Sequence, residues 1–256
     1  MNTTDITDDQ QEFLDLLNAC GGYYERPNAQ APLVAYRGED GRGRKYVGNV
    51  YVNFATVEEH GEALGEVAFA LLERLVDAGH IQEGVGATNV GFCGAPEGGK
   101  ALAAVLSSIA CAKHIFPEKE VTALKTETAR EKTRLFFDRH EPTPGMIYWI
   151  VEDVCNNFST TKDMIALIES AGAKVGGVVC FFNRSMTVDK EFELRPGEFI
   201  PVVALVRMPI PQYEQDDPEV LLSVRDGNVE WKPKSKAGRA RLMKAVEDAK
   251  QQTQVT

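Results

Sequence analysis

The sequence contains no run of about 18 uncharged apolar residues, the length that a membrane-spanning helix requires. Its first residues, MNTTDITDDQQ, also lack the basic and apolar regions of a secretory signal. These absences argue against membrane channels, transporters and secreted proteins. We therefore expect no membrane association and a cytoplasmic location.

Cysteine and basic residues are both scarce. The five cysteines, at positions 20, 93, 111, 155 and 180, form no CxxC or Cys/His ligand pattern, which predicts reduced thiols and no bound metal. Lysine and arginine number 28 against 38 acidic residues, a formal net charge of -10. Since nucleic-acid phosphates favour a basic surface, we expect no nucleic-acid partner, and any anion must be bound by local geometry.

The hydrophobic pattern predicts an α/β protein. Apolar residues from 58 to 77 mark one face of a helix, and a strand at 89–93 leads through GAPEGG into a helix from about 100 to 113. A strand, a helix and a second strand follow, at 146–151, 161–172 and 174–182. Such a βαβ order predicts a parallel sheet whose ligands bind at the carboxyl ends of the strands.

Two regions have no clear periodicity and are predicted to be irregular, residues 23–45 and the polar connection 125–145. No linker or internal repeat interrupts the chain, so we expect a single domain. Within it we expect an N-terminal helix and hood, a core and a C-terminal extension, at 1–60, 61–210 and 211–256.

The segment VEDVCNNFSTT (151–161) joins the strand to the helix of the βαβ unit. The strand brings Glu152 and Asp153 to the sheet edge, and the helix start supplies unpaired amides and the positive end of the helix dipole. Hydroxyls can donate to the carboxylates, while the amides and four polar side chains can bind a phosphate: Asn156, Asn157, Ser159 and Thr160. The pattern fits a phosphorylated sugar, although spacing alone also permits solvated acids before an ordinary helix cap.

EDVCNNFST resembles the phosphoribosyl pyrophosphate loop of the type I phosphoribosyltransferases, and most of all that of orotate phosphoribosyltransferase. The family's turn has the form TTGGS, whereas residues 156–160 here are NNFST. Since Asn tolerates left-handed backbone better than most residues, we expect the two asparagines to replace the glycines. The resemblance implies that Glu152 and Asp153 bind ribose and that the turn, Phe158 included, binds its 5-phosphate.

GAPEGGKALAAV (94–105) resembles the family's first glycine loop, which contacts the pyrophosphate and leads into a helix of small residues. The resemblance implies that Gly98 and Gly99 bind substrate. Taken alone, the same residues also fit an ordinary strand-to-helix turn.

The polar connection that begins LKTETAREK resembles the family's mobile catalytic loop. Cations in such a loop can neutralise charge on a departing pyrophosphate. The resemblance implies this catalytic role for Lys125, Arg130 and Lys132, together with Asp153. A charge run of this kind is otherwise typical of a solvated surface.

FFNRS (181–185) follows the second strand of the βαβ unit and resembles the place where the orotate enzymes set an arginine against the carboxylate of the base. Arg184 occupies that position. A guanidinium can bind a planar carboxylate through two parallel hydrogen bonds. The other interpretation is a strand-end arginine in a surface ion pair.

The resemblance implies a type I phosphoribosyltransferase-like α/β fold: a central parallel sheet flanked by helices, with a small hood from the N-terminal region. It implies transfer of the phosphoribosyl group of phosphoribosyl pyrophosphate to orotate, giving orotidine 5'-monophosphate and pyrophosphate, in a homodimer. Mg²⁺ would be bound mainly through the substrate pyrophosphate, with no separate protein metal site. A purine-base phosphoribosyltransferase and a non-catalytic sensor of a nucleotide or of phosphoribosyl pyrophosphate remain alternatives.

Overall fold

A computed structural model of the chain describes residues 6–82, 89–123 and 132–254. The chain divides into two compact units. The first combines Met1–Phe13 with Val57–Pro209, and the second combines Leu14–Thr56 with Ile210–Thr256. The predicted single-domain organisation stays a prediction.

The first unit is built on a six-stranded sheet. Its strands are β5 (Val90–Gly94), β6 (Lys113–Ile115), β9 (Ile147–Cys155), β10 (Lys174–Asn183), β11 (Glu191–Arg195) and β12 (Glu198–Arg207). They lie in the order β11-β12-β10-β9-β5-β6. All neighbours are parallel except β11, which pairs antiparallel with β12 at the edge. The predicted α/β fold with a central parallel sheet is confirmed.

Helices cover both faces of this sheet: α3 (Gly61–Asp77), α4 (Gly99–Ile109) and α5 (Ser159–Ser170). Buried residues of α5 pack with Cys93, Ile150 and Cys180. The neighbouring residue Gly94 instead contacts Ala103 of α4. Because successive strand residues point to opposite faces, α5 and α4 lie on opposite sides of the sheet. The apolar stripe predicted at 58–77 is the buried face of α3, which packs against α4.

A two-stranded antiparallel hairpin, β7 (Glu118–Ala123) and β8 (Lys132–Phe136), also belongs to this unit. Its second strand lies inside residues 125–145, so the prediction of an irregular connection there is wrong over 132–136. The helix predicted to reach residue 113 is also too long, because α4 ends at Ile109 and β6 follows. Short strands of this kind form only through pairing with another strand, which the periodicity of their own residues does not reveal.

The second unit contains the second half of α1 (Asp8–Ala19). It also contains the small strands β1 (Tyr23–Glu25), β2 (Leu33–Glu39), β3 (Lys45–Gly48), β4 (Val50–Val52) and β13 (Val229–Glu230). Two further helices are α6 (Leu221–Arg225) and α7 (Lys236–Gln254), while the short α2 (Ala55–Glu58) joins the two units along the chain. Strands β13, β2 and β3 form one sheet. The irregular structure predicted for 23–45 is therefore wrong over 23–25 and 33–39, where β1 pairs with β4 and β2 pairs with β3 and β13.

No helix in the described ranges combines the length and the apolar character that a membrane crossing requires.

Candidate active site

Three segments singled out in the sequence follow three neighbouring parallel strands. The glycine loop follows β5, the turn at 156–160 follows β9, and Arg184 follows β10. Since the carboxyl ends of parallel strands meet at one edge of a sheet, the segments converge there. The backbone N–H of Arg184 donates to the carbonyl oxygen of Cys155 at 2.9 Å, which joins the ends of β10 and β9 directly.

The acidic pair lies inside β9 rather than in a loop after it, because the strand extends to Cys155. The predicted end of this strand at residue 151 is therefore wrong. Glu152 and Asp153 consequently point to opposite faces of the sheet. Thr161 of α5 donates its hydroxyl to Glu152, and Gly98 before α4 contacts the carboxylate of Asp153.

The glycine loop is pressed onto β9. A Cβ on Gly98 would lie 2.5 Å or less from both carboxylate oxygens of Asp153, and one on Gly99 would overlap the carbonyl oxygen of Val151. The N–H of Ala95 donates to the same carbonyl at 2.8 Å. Only glycine permits so close an approach of backbone to neighbouring atoms. The peptide bond between Pro96 and Glu97 is cis.

Glu152 is half-buried, and the hydroxyl of Thr161 donates to its Oε1 at 3.3 Å. Burial, followed by the negative charge of Asp153, raises the pKa of Glu152 to about 8. The hydrogen bond from Thr161 and the positive charge of Lys119 act in the opposite direction but are smaller. The raised pKa favours the protonated form of the Glu152 carboxyl near neutral pH.

The turn between β9 and α5 is arranged around Phe158. This residue has φ 57° and ψ 20°, and its buried ring stacks on Phe192 with 5.2 Å between centroids and 16° between planes. Among the described residues, only Phe158 and Cys111 have positive φ without being glycine. The expectation that the asparagines would supply left-handed backbone is therefore wrong, because core packing of the Phe158 ring fixes that conformation instead.

The polar side chains of the turn lie close to the start of α5. Oδ1 of Asn157 accepts hydrogen bonds from the backbone N–H and the hydroxyl of Ser159, at 3.2 and 3.0 Å. Asn157 and Ser159 are exposed, whereas Asn156 and Thr160 are half-buried. The amino-terminal amides of this 12-residue helix therefore face the same edge of the sheet as the glycine loop.

Arg184 is buried, with 6% of its surface exposed. The loop that carries it is held by Asn183, whose amide donates to the carbonyls of Val188 and Asp189 at 3.1 Å and whose Oδ1 accepts from Ser185 N–H at 3.0 Å. Sequence reasoning missed Asn183. An Asn immediately before the arginine, at the end of an apolar strand, was the available signal, since Asn commonly bonds to backbone in turns.

The three cationic candidates come after β7 in the sequence, and only one of them is described by the structure. Lys125 and Arg130 fall outside the described residues, and Lys132 is the first residue of β8. Lys100, which was not among the predicted site residues, pairs with Glu97 at 3.1 Å and with Glu118 at 3.6 Å. Across the described ranges, no group of three or more His, Cys, Asp or Glu side chains is placed to hold a metal ion.

Comparison with known proteins finds no matching family model and no matching curated protein. Solved structures do match. Leishmania donovani UMP synthase aligns at 14% identity with a TM-score of 0.52 over 94% of this chain and 43% of that chain, so the protein spans less than half the length of that match. Orotate phosphoribosyltransferase from Aeropyrum pernix aligns at 16% identity with a TM-score of 0.50, over 75% of this chain and 92% of that one.

An adenine phosphoribosyltransferase from Trypanosoma brucei, solved with AMP, pyrophosphate and ribose-5-phosphate, aligns at 12% identity with a TM-score of 0.49, over 81% of this chain and 82% of that chain. The first two matches extend over most of the chain and agree with the strand order and the flanking helices described above. The protein therefore has the fold of the type I phosphoribosyltransferases.

Proposed function

We propose that this chain is an orotate phosphoribosyltransferase-like enzyme of pyrimidine nucleotide synthesis. It transfers the phosphoribosyl group of phosphoribosyl pyrophosphate to orotate, giving orotidine 5'-monophosphate and pyrophosphate. The observation that carries the proposal is the convergence of Gly98, Asp153 and Arg184 at the carboxyl ends of three adjacent parallel strands. Ligands of open α/β sheets bind at that edge.

The ribose 5-phosphate part of the substrate fits the end of β9. The Asp153 carboxylate can accept hydrogen bonds from ribose hydroxyls, and the first amides of α5, with Ser159 and Thr160, can donate to the phosphate. The exposure of Asn157 and Ser159 supports this role, because a ligand can reach them. Phe158 contributes through its backbone, since its ring is buried against Phe192.

The pyrophosphate part fits the glycine loop, whose backbone lies directly against the Asp153 carboxylate because Gly98 has no Cβ. Magnesium, bound mainly by the substrate's own pyrophosphate, supplies positive charge to the leaving group. Lys125, Arg130 and Lys132 are proposed to add cationic side chains there. The bond between ribose C1 and the pyrophosphate oxygen breaks, the oxygen keeps the electron pair, and a ring nitrogen of the base bonds to C1. Positioning and charge stabilisation suffice for this reaction, so no protein nucleophile is needed.

Arg184 is proposed to select the base. Orotate carries a carboxylate that uracil and the purines lack, and a guanidinium held by a buried, hydrogen-bonded loop offers it a fixed two-point contact. A homodimer and a cytoplasmic location complete the proposal.

A direct assay tests the reaction. The purified protein is incubated with Mg²⁺, phosphoribosyl pyrophosphate and one of orotate, uracil, adenine or hypoxanthine, and nucleotide formation is followed by chromatography. We expect product with orotate alone. Product with adenine or hypoxanthine alone would favour the purine alternative. No product with any base would favour a non-catalytic binding protein, the alternative to which the glycine-free turn around Phe158 points.

A further inference from the structure

The two adjacent acids of β9 have different surroundings, although the sequence assigns both the same role. Asp153 faces the glycine loop, where Gly98 lies against its carboxylate. Glu152 faces the opposite side of the sheet, where it accepts a hydrogen bond from Thr161 in the first turn of α5. A ligand bound at the glycine loop therefore meets Asp153 first, and Glu152 lies beneath the start of α5.

The environment of Glu152 is poor in groups that would stabilise a negative charge. Its side of the sheet is the apolar cluster under α5, which contains Cys93, Cys155 and Cys180. Burial raises the pKa of Cys93, and the hydrogen bond with Cys180 followed by burial raises that of Cys155; Glu152 lies close enough to both thiols to add a smaller electrostatic effect. The charged groups that act on Glu152 are Asp153 of the same strand and Lys119 of β7.

The remaining charged residues of the first turns of α5, Lys162 and Asp163, are exposed. Desolvation therefore dominates at Glu152, and it favours the neutral acid.

We propose that Glu152 is a positioning residue that holds its proton beneath the first turn of α5 and, through Thr161, keeps that turn free of negative charge for a phosphate monoester. The inference rests on the proposed function, because the phosphate is that of the phosphoribosyl ligand. Loss of the proton places a carboxylate under the helix start and weakens phosphate binding.

The physical reason lies in the charge of the helix terminus. Unpaired amides and the helix dipole give the start of α5 a positive potential that a dianionic phosphate uses. Thr161 is the third residue of the helix, so the carboxyl bonded to it lies next to the amides that would hold the phosphate. A neutral carboxyl leaves that potential intact, whereas a carboxylate offsets it and repels the phosphate.

A ligand-free experiment tests the proton on Glu152. Its folded-state pKa of about 8 exceeds its ordinary value of 4.5, so its favourable contribution to stability is lost as pH rises between those values. We expect the free energy of unfolding in urea to fall over this window more steeply in the native protein than in Glu152→Gln, which mimics the protonated acid. The exposed Glu66→Gln on α3 is the matched control and should keep the native slope. If the free energy of unfolding fell equally steeply with pH in all three proteins, the proposal would be overturned.

A binding experiment tests the coupling to phosphate. Ribose 5-phosphate is titrated by calorimetry at pH 7 and pH 9. A phosphate monoester with a second pKa near 6 is already about nine-tenths dianionic at the lower of these values. We expect the dissociation constant of the native protein to rise at least about fivefold at pH 9 through the new repulsion. Glu152→Gln should change less than about twofold, because it has no carboxylate to form.

Thr161 supplies a second pair of variants in case Glu152→Gln does not fold. Thr161→Val, which removes the hydroxyl, should weaken phosphate binding at pH 7, and Thr161→Ser should restore it. The same pH dependence in the native protein and in Glu152→Gln would overturn the inference while leaving the proposed function intact. Absence of ribose 5-phosphate binding at both pH values would overturn the proposed function and the phosphate coupling together, and the unfolding experiment would still decide whether Glu152 holds a proton.

Discussion

Gly98 and Asp153 are in contact at a range that leaves no room for a methyl group between them. A Cβ on Gly98 would lie 2.5 Å or less from both oxygens of the Asp153 carboxylate. The glycine loop and the acidic strand are therefore fitted to each other, and the geometry of one depends on the other.

Gly98→Ala should consequently displace either the loop or the carboxylate. We expect kcat/KM for phosphoribosyl pyrophosphate to fall by about a hundredfold, the usual effect of a misplacement of about 1 Å in a positioned site. Gly65→Ala is the control, because nothing lies within 4 Å of a Cβ at that helical position. It should retain activity and gain about 0.5–1 kcal/mol of stability. Similar kinetics in the two variants would contradict the proposed site.

Asp153→Asn should weaken the use of phosphoribosyl pyrophosphate at least tenfold, because a hydrogen bond to a charged group contributes about 1.5–3 kcal/mol. Steady-state kinetics together with thermal unfolding check this, and the melting temperature should change little. The exposed Asp163→Asn on α5 serves as the comparison. Unchanged kinetics in Asp153→Asn would mean that the ribose binds elsewhere.

Arg184→Lys should raise KM for orotate about tenfold while KM for phosphoribosyl pyrophosphate stays nearly constant, since lysine cannot make the two-point contact of a guanidinium. Initial rates with each substrate varied in turn separate the two constants. Arg195→Lys, in an exposed ion pair with Glu169 and Glu198, should leave both unchanged. Equal rises in both constants for Arg184→Lys would indicate structural damage rather than base selection.

Phe158 combines a buried ring with a left-handed backbone, and two substitutions separate these effects. Phe158→Ala should cost about 3–5 kcal/mol through lost packing. Phe158→Gly should be less destabilising than Phe158→Ala by about 1 kcal/mol, because glycine adopts positive φ without strain. Phe192 is the other ring of the stacked pair and lies in a strand. There we expect Phe192→Gly to be more destabilising than Phe192→Ala. The free energy of unfolding in urea is measured for the four variants. If alanine and glycine ranked in the same order at both positions, the claim that the Phe158 backbone favours glycine would be contradicted.

His114 gives a pH dependence of the opposite sign to that of Glu152. Burial, followed by the charge of His140, lowers the pKa of His114 below its ordinary value of 6.5. The unfolded state therefore binds the proton more readily, and stability present above pH 6.5 is lost as pH falls through the lower folded-state value. In His114→Gln, the free energy of unfolding in urea should fall less as the pH is lowered. The exposed His60→Gln should show the same fall as the native protein. An unchanged acid slope in His114→Gln would show that another group is responsible.

Features whose causes are local could be predicted from the amino-acid pattern alone. The spacing of Leu64, Val67, Leu71 and Leu75 was enough to predict α3, because a helix buries residues three and four apart wherever it packs. The two contiguous apolar runs with a helix between them were enough to predict the parallel pair β9 and β10. The glycine loop, the acids and Arg184 could be placed at one edge on the same grounds.

Features that depend on contacts with other elements of the fold could not be predicted in this way. β2 is a strand because β3 and β13 pair with it, and β8 because β7 does, and such pairing leaves little trace in the local pattern. Glu152 and Asp153 point to opposite faces of the sheet because β9 extends to Cys155 and therefore includes both residues. The left-handed backbone of Phe158 accompanies the packing of its ring on Phe192 in the core. These residues are 34 positions apart, so the sequence around Phe158 could not predict the contact.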